Sequence, residues 1–325
     1  MKYALVATLG PSSSTEALWQ ALLSAGVTAL RLNTSHLTLE QLEAWLEKLE
    51  RFISRLDIPP PLVLDLQGSK WRLGQLAARQ LADGEIIDLV YGTETALDGA
   101  LPVPHADFFQ AAGRSNGEVV LNDARVHLAV EKSTSDRIQA RVTLGGPIAS
   151  HKGITFSASE FRKEALNEKD QAILRLTRGK ASIRYAISYV KDTVEMSRYR
   201  ALCGHKAYLA AKLERQPALE QARLIAENAD ELWLCRGDLG AELGQVGMAE
   251  AVYRFSTHLN TIALPVYLAG QVLEHMVEHP TPTRSEICYL YEALQKGYAG
   301  VILSDEIAVG RYPVESCRAA AQFRQ

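Results

Sequence analysis

Eight short apolar runs recur along this chain, each closed by polar residues, with helix-like segments between most of them. The runs are Tyr3–Thr8, Ala29–Asn33, Leu62–Leu66, Ser182–Ser188, Ala207–Leu213, Glu231–Cys235, Pro265–Leu268 and Gly300–Leu303. Apolar runs of this length, bounded by turn residues, read as buried strands. After the first of them, Leu18, Leu22 and Leu23 form an apolar helical stripe. Ser13 and Glu16 have the spacing of a capping box there, and Gly26 stops the helix. Strand-helix alternation implies parallel strands joined by right-handed crossovers, and eight such units close most economically as a (β/α)8 TIM barrel. An open doubly wound sheet is the second reading, but no strand-linked GxGxxG fingerprint or Walker P-loop supports it.

One interval breaks the rhythm. From about Leu73 to Ser157 the helical period gives way to alternating segments such as Glu118-Val-Val-Leu and Arg137-Ile-Gln-Ala-Arg-Val-Thr-Leu, separated by Gly, Asn, Asp and Pro. The fold class expected is therefore α/β, a barrel with a small β-rich lid domain inserted after the third strand. Residues 1–71 and 158–325 would form the barrel and 72–157 the insertion. Removing the insertion leaves roughly 240 residues, close to the roughly 250 of one barrel.

With 47% hydrophobic and 22% charged residues and a formal net charge of -3, the 325-residue chain has enough apolar material for one large core or two unequal ones. Its near-neutral balance and lack of a long basic block argue against nucleic acid as the main partner. No window has the length of a membrane span, and the N-terminal Met1-Lys-Tyr-Ala-Leu-Val-Ala-Thr-Leu-Gly-Pro is unlike a signal peptide. A cytoplasmic protein without membrane contact is expected. Cys203, Cys235, Cys288 and Cys317 lack paired CxxC spacing and read as buried thiols rather than zinc ligands or disulfides.

In a barrel of this kind chemistry gathers at the carboxyl ends of the strands. Those ends deliver Thr8; Arg31, Asn33, Ser35 and His36; Asp65; Ser188 and Lys191; Lys212 and Glu214; Arg236 and Asp238; Gln271; and Ser304, Asp305 and Glu306. Unpaired charges near a core cost several kcal/mol by rough estimate, so such a cluster points to a ligand or a metal as partner. The stretch LCRGDLGAE, Leu234 to Glu242, puts most of that charge directly behind one buried strand.

The motifs ATLGPSS (Ala7–Ser13), LRLNTSH (Leu30–His36), LDLQGSKWRLG (Leu64–Gly74), SHKGITF (Ser150–Phe156), AKLER (Ala211–Arg215), LCRGDLGAE, PTRSE (Pro282–Glu286) and LSDEIAVGRYP (Leu303–Pro313) follow the order and spacing of one family. The chain resembles pyruvate kinases over essentially its whole length. The resemblance stops where the family's barrel ends, so no counterpart of the family's C-terminal regulatory domain is expected. It implies phosphoryl transfer from phosphoenolpyruvate to ADP, giving pyruvate and ATP. Lys212 would stand at the transferring phosphoryl and Arg31 would contact phosphate, supplying positive charge where it develops. Glu214 and Asp238 would offer hard carboxylate oxygens to Mg2+ or Mn2+, with substrate and water completing the octahedron. Arg236, Gly237, Ser188 and Gln271 match substrate-side positions, the glycine letting main-chain amides approach an anion. Thr8, Pro11 and His36 match the nucleotide-side loops, and Lys152, with Asp123 and Arg72, would face the phosphates as a lid closes. Self-association into a homo-oligomer stays open.

Two departures qualify the likeness. The family's LDTKGPEIR is here Leu64-Asp-Leu-Gln-Gly-Ser-Lys-Trp-Arg72, with Lys70 in place of the glutamate, as in family members that work without potassium. Near the family's monovalent-cation region, formed here by Asn33, Ser35 and Asp65, the Lys70 ammonium would supply the charge of that ion, and no potassium requirement is expected. The family's ATQ becomes Ala269-Gly270-Gln271, which removes the threonine hydroxyl that helps protonate the enolate. Restoring it by Gly270→Thr is expected to raise turnover. The loss keeps two alternatives open: another metal-dependent enzyme of phosphoenolpyruvate or a 2-oxo acid on the same barrel, and a ligand-binding pseudoenzyme.

Overall fold

The computed structural model describes residues 1–114, 117–122, 124–156 and 165–324. They divide into two compact units. One comprises Met1–Gly68, Leu166–Arg236 and Ala251–Gln325, the other Ser69–Ala165 and Gly237–Glu250. The expected end of the insertion, at 157 and 158, lies outside the described residues.

The first unit contains a closed barrel of eight parallel strands. They are Ala4–Leu9, Ala29–Asn33, Leu62–Leu66, Ile183–Ile187, Tyr208–Leu213, Glu231–Cys235, Val266–Ala269 and Gly300–Leu303. Each is hydrogen-bonded to its neighbour in that order, and the first pairs with the last through Ala4 opposite Gly300. The barrel and the strand spans match the sequence expectation to within a residue or two. The first helix does not begin where the sequence suggested. It runs Glu16–Ser24 and is capped by Thr15, whose hydroxyl accepts the Leu18 amide at 3.3 Å. Ser13 instead closes a preceding 3-10 turn by accepting the Gly10 amide at 3.1 Å, because Pro11 starts that turn early.

Alternation along the strands sorts the barrel interior into levels, since successive side chains point to opposite faces. The middle level holds Val6, Ala29, Val63, Ala186, Ala210, Trp233, Ala269 and Ile302. Two residues further along most of these strands come Thr8, Arg31, Asp65, Ser188, Lys212 and Ser304. The same parity that fills the barrel with apolar side chains therefore delivers a polar ring to its carboxyl end.

The third strand leaves the barrel through Gln67 and Gly68. Gly68 has φ +60°, and a Cβ there would lie 2.2 Å from the Ser188 carbonyl oxygen, so only glycine fits. Asp170, in the helix Glu168–Thr177, accepts the Gln67 amide at 3.2 Å and the Gly68 amide at 2.9 Å. Burial raises the Asp170 carboxyl from 3.8 to about 6, outweighing those amide bonds. A carboxyl raised on folding favours the folded state when protonated, so its contribution is full below the unfolded value and is lost as pH rises through the folded one. Stability of the protein relative to Asp170→Asn should therefore fall between about pH 4 and pH 6. Urea titrations across that window read this directly, and parallel curves for the two proteins would refute it.

The second unit is β-rich. Six strands form one sheet in the spatial order Ile154–Phe156, Glu118–Leu121, Val126–Ser133, Arg137–Leu144, Ile86–Tyr91 and Leu101–Val103. Gly146–Ile148 pairs separately with Arg79–Leu81. Its core gathers Trp71, Phe108, Phe109, Leu89, Leu128 and Ile138, with Trp71 and Phe108 packed edge to face at 5.3 Å. The four cysteines are free; Cys235 and Cys317 are buried, but Cys203 is half-buried and Cys288 exposed, against the expectation of burial for all. Among the described residues no helix is long and apolar enough to cross a membrane.

Candidate active site

The polar ring at the carboxyl end of the barrel is organised around one carboxylate. Asp65, 2% exposed, receives the Arg31 guanidinium through Nε at 2.9 Å and through Nη2, the Lys212 ammonium at 3.0 Å, and the Ser188 hydroxyl at 3.0 Å. Lys212 also donates to Ser188 Oγ at 2.9 Å and lies 3.0 Å from Glu214 Oε1. Arg31 reaches Thr8 Oγ1 at 2.6 Å and Ser304 Oγ at 3.4 Å. The strand register brings these together: Thr8 is opposite Arg31, and the third strand carries Asp65 between Arg31 and Ser188.

Burial opposes charge on both partners, yet the pairing wins. Burial lowers the Lys212 pKa, but Asp65 and Glu214 raise it further, so the net shift is upward and the ammonium persists through neutral pH. Burial raises Asp65, and Lys212 and Arg31 more than offset that, holding the carboxyl well below the usual range. The result is a buried cluster in which two cations share one anion.

Glu214 is buried and fixed from a second side by the Tyr189 amide, which donates to Oε2 at 2.7 Å. Tyr189 has φ +64°, a conformation unfavourable for a bulky residue. The strained turn aims its amide at Glu214, and its ring lies under the Arg215 guanidinium at 5.2 Å. Asn33 and Ser35 lie together in the turn after the second strand, where Asn33 Oδ1 accepts the Ser35 amide at 3.2 Å. His36 ends that turn and is exposed, and Pro11 is exposed at the start of its own.

Arg236 is occupied within the barrel unit. Its guanidinium donates to the Gly270 carbonyl at 3.0 and 2.5 Å and to the Gln271 carbonyl at 2.9 Å, and it stacks over Tyr289 at 4.9 Å. Gln271 is exposed. Gly237 is the second residue of the helix Arg236–Ser256, not part of a separate turn, and a Cβ there would meet nothing within 4 Å. Glu306, counted among the mouth charges from sequence, is used by the backbone: it accepts the amides of Leu273 at 2.9 Å and Ser304 at 2.7 Å.

In the second unit the Lys70 ammonium sits on Asp238, at 2.5 Å from Oδ1 and 2.6 Å from Oδ2. A Cβ on Gly153 would lie 2.6 Å from Lys70 Cε, so the glycine of SHKGITF makes room for this pair. Arg72 donates to the His151 carbonyl at 2.8 Å, while its Nε is buried without a hydrogen-bond partner among the described residues. Lys152 is half-buried in the same segment, and its carbonyl accepts the Leu73 amide at 2.9 Å. Asp123 lies outside the described residues. Among the described residues no group of three or more His, Cys, Asp and Glu side chains could hold a metal ion. Glu214 and Asp238 are each neutralised by an ammonium, Lys212 and Lys70 respectively, which would compete with a divalent ion for those oxygens, so such an ion would depend on further oxygens from substrate.

The family model described as "Pyruvate kinase, barrel domain" matches residues 1–317. The chain belongs to the pyruvate kinase family. It is 30% identical over 314 residues to a pyruvate kinase of Methylorubrum extorquens, covering 96% of this chain and 66% of that protein. A pyruvate kinase of Agrobacterium vitis is 32% identical over 317 residues, again covering 66% of the relative. One from Aeropyrum pernix is 30% identical over 332 residues, covering 98% of this chain and 69% of the relative. The chain thus spans about two thirds of the length of these relatives. A crystal structure of a Cryptosporidium parvum pyruvate kinase shares the fold with a TM-score of 0.83 at 21% identity, over 99% of this chain and 68% of that one.

Within the family frame, the backbone corrects one expectation. Gly270 has φ +86° and the next residue, Gln271, φ +53°. A threonine at 270 would be held in a region that β-branched residues avoid, at a cost of about 1–3 kcal/mol. Gly270→Thr is therefore expected to lower the unfolding midpoint and leave turnover no higher than wild type, opposite to the gain anticipated from sequence. Thermal unfolding and a rate assay on the variant check this, and a more active variant would refute it. The sequence also gave no hint of Tyr189 as the group that fixes Glu214. Asp65 was legible only as a cation-region residue, because its role depends on four strands meeting at one point.

Proposed function

We propose that this chain catalyses phosphoryl transfer from phosphoenolpyruvate to ADP, yielding pyruvate and ATP. The observation that supports this best is the buried Arg31–Asp65–Lys212 cluster, which holds a guanidinium and an ammonium on one carboxylate at the barrel mouth. Phosphoryl transfer asks little covalent chemistry of the protein and much positioning and charge stabilisation. Lys212 would face the moving phosphoryl and Arg31 the phosphate oxygens, with Asp65 holding both in place before substrate arrives. Ser188, bonded to Lys212 and Asp65, would fix the ammonium's direction. Glu214 and Asp238 are assigned to Mg2+ or Mn2+ on the strength of AKLER and RGDLG; the ion would neutralise phosphate oxygens as a Lewis acid. The buried Nε of Arg72, without a partner among the described residues, suits an anionic nucleotide phosphate, and the same side chain donates to the His151 carbonyl of SHKGITF.

The enolate left after transfer takes a proton at carbon, and Gly270 has no hydroxyl to assist. That single feature favours the second reading, a related enzyme or binding protein acting on phosphoenolpyruvate or a 2-oxo acid. A coupled assay decides: pyruvate formed from phosphoenolpyruvate and ADP with Mg2+ supports the kinase, and its absence with retained phosphoenolpyruvate binding supports the alternative.

Lys70 at the position of the family's glutamate supports activity without potassium, although its ammonium pairs with Asp238 rather than with Asn33, Ser35 or Asp65. Rates in potassium and in tetramethylammonium salts should agree for the wild type. Lys70→Glu places a carboxylate beside Asp238 and should make the rate depend on an added monovalent cation. Equal rates of Lys70→Glu in both salts would remove Lys70 from that role.

A further inference from the structure

The barrel interior below the polar ring is unusual in its sizes. Four of its eight middle-level positions, Ala29, Ala186, Ala210 and Ala269, are alanines, and one large side chain, Trp233, stands among them. Trp233 is 1% exposed. Its indole is anchored from the amino-terminal side: Nε1 donates to Glu231 Oε1, and Tyr208 donates to Glu231 Oε2 at 3.0 Å. Glu231, buried at the start of the same strand, is thus held by Trp233 of its own strand and Tyr208 of the adjacent one, and Tyr208 in turn lies under the Arg184 guanidinium at 4.0 Å. On the opposite side, the Arg31 guanidinium carbon lies 5.9 Å from the centre of the Trp233 ring.

From this arrangement we infer that Trp233 is a positioning residue for Arg31, a fixed aromatic floor that holds the phosphate-facing guanidinium at the height of Asp65 and Thr8. The inference rests on the phosphate-binding role proposed for Arg31. Its physical basis is volume first. Asp65, Thr8 and Ser304 restrain the guanidinium from the sides, at 2.9, 2.6 and 3.4 Å, but none of them lies in the level below. The alanines leave that space to the indole, and close packing there denies Arg31 the rotamers that would drop it into the lumen. The ring face also attracts a cation within about 6 Å. Glu231 completes the device by fixing the ring plane through a buried hydrogen bond.

Trp233→Leu and Trp233→Phe test the inference on the full chain. Two readings are taken: phosphoenolpyruvate affinity by calorimetry, and the water-exchange rate of the Arg31 side-chain Nε–H, whose resonance is assigned by its loss in Arg31→Lys. With the floor removed in Trp233→Leu, affinity should fall about tenfold, and not further when Arg31→Lys is added. The Arg31 Nε–H should exchange faster with water. Trp233→Phe keeps a ring face and should change both readings less and in the same direction; it serves alone if Trp233→Leu does not fold. A merely structural tryptophan would lower the unfolding temperature without moving either reading in the folded protein, and that result overturns the inference. Should wild type bind no phosphoenolpyruvate, the functional reading fails, and the Arg31 Nε–H exchange rate alone then decides: faster exchange in the variants upholds the positioning role, an unchanged rate overturns it.

Discussion

Asp65→Ala should lower the free energy of unfolding at pH 7 by about 3–5 kcal/mol, the usual consequence of removing one partner from a buried ion cluster. The variant leaves the Arg31 and Lys212 charges buried with Glu214 as the remaining carboxylate bonded to Lys212. The wild-type contribution has a defined pH sign. Asp65 is depressed on folding by Lys212 and Arg31 against the effect of burial, so its stabilisation is present above the unfolded carboxylate range and is lost as pH falls through the still lower folded value. Wild type should therefore lose stability in acid below about pH 4 more steeply than Asp65→Ala. Chemical denaturation at neutral and acid pH measures both effects. A loss under about 1 kcal/mol at pH 7, the scale of an exposed pair, would show that the cluster is solvated rather than buried.

Lys212→Met should reduce turnover by about 10³-fold, as expected when a preorganised group facing developing charge is removed from a water-poor site. Methionine keeps much of the volume, but it leaves Asp65 and Glu214 without the ammonium that both share. Folding must be measured beside activity for that reason. Lys212→Arg retains the charge and separates the two effects: it should preserve stability better than Lys212→Met while still losing turnover, because a planar guanidinium cannot reproduce the bonds to Ser188, Asp65 and Glu214 from one point. A kcat within tenfold of wild type for folded Lys212→Met would transfer the role at the phosphoryl to another group.

Much of the barrel was readable because it rests on local, periodic chemistry. Runs such as Leu62–Leu66 and Glu231–Cys235 announce strands by their apolar content, and their spacing by helical segments makes parallel closure the simplest arrangement. The break in that rhythm announced the β-rich insertion for the same reason. Family motifs then placed Lys212, Glu214 and Arg31 at strand ends, where strand parity also puts them. Capping was less legible, since Ser13 and Thr15 both satisfy the local rule at the first helix and only the 3-10 turn begun by Pro11 decides between them.

What the sequence determined by itself was the set of elements, their order and the chemical character of the strand ends, because each follows from residues close together in the chain. Tertiary structure alone decided which charges meet. Asp65 joins Arg31 and Lys212 across sequence separations of 34 and 147 residues, and Lys70 meets Asp238 across 168. It also decided that Gly270 sits at a positive φ, that Tyr189 turns its amide to Glu214, and that Trp233 fills a lumen of alanines under Arg31. Such pairings depend on strand register and on the space left by distant side chains, and neither quantity exists until the barrel has closed.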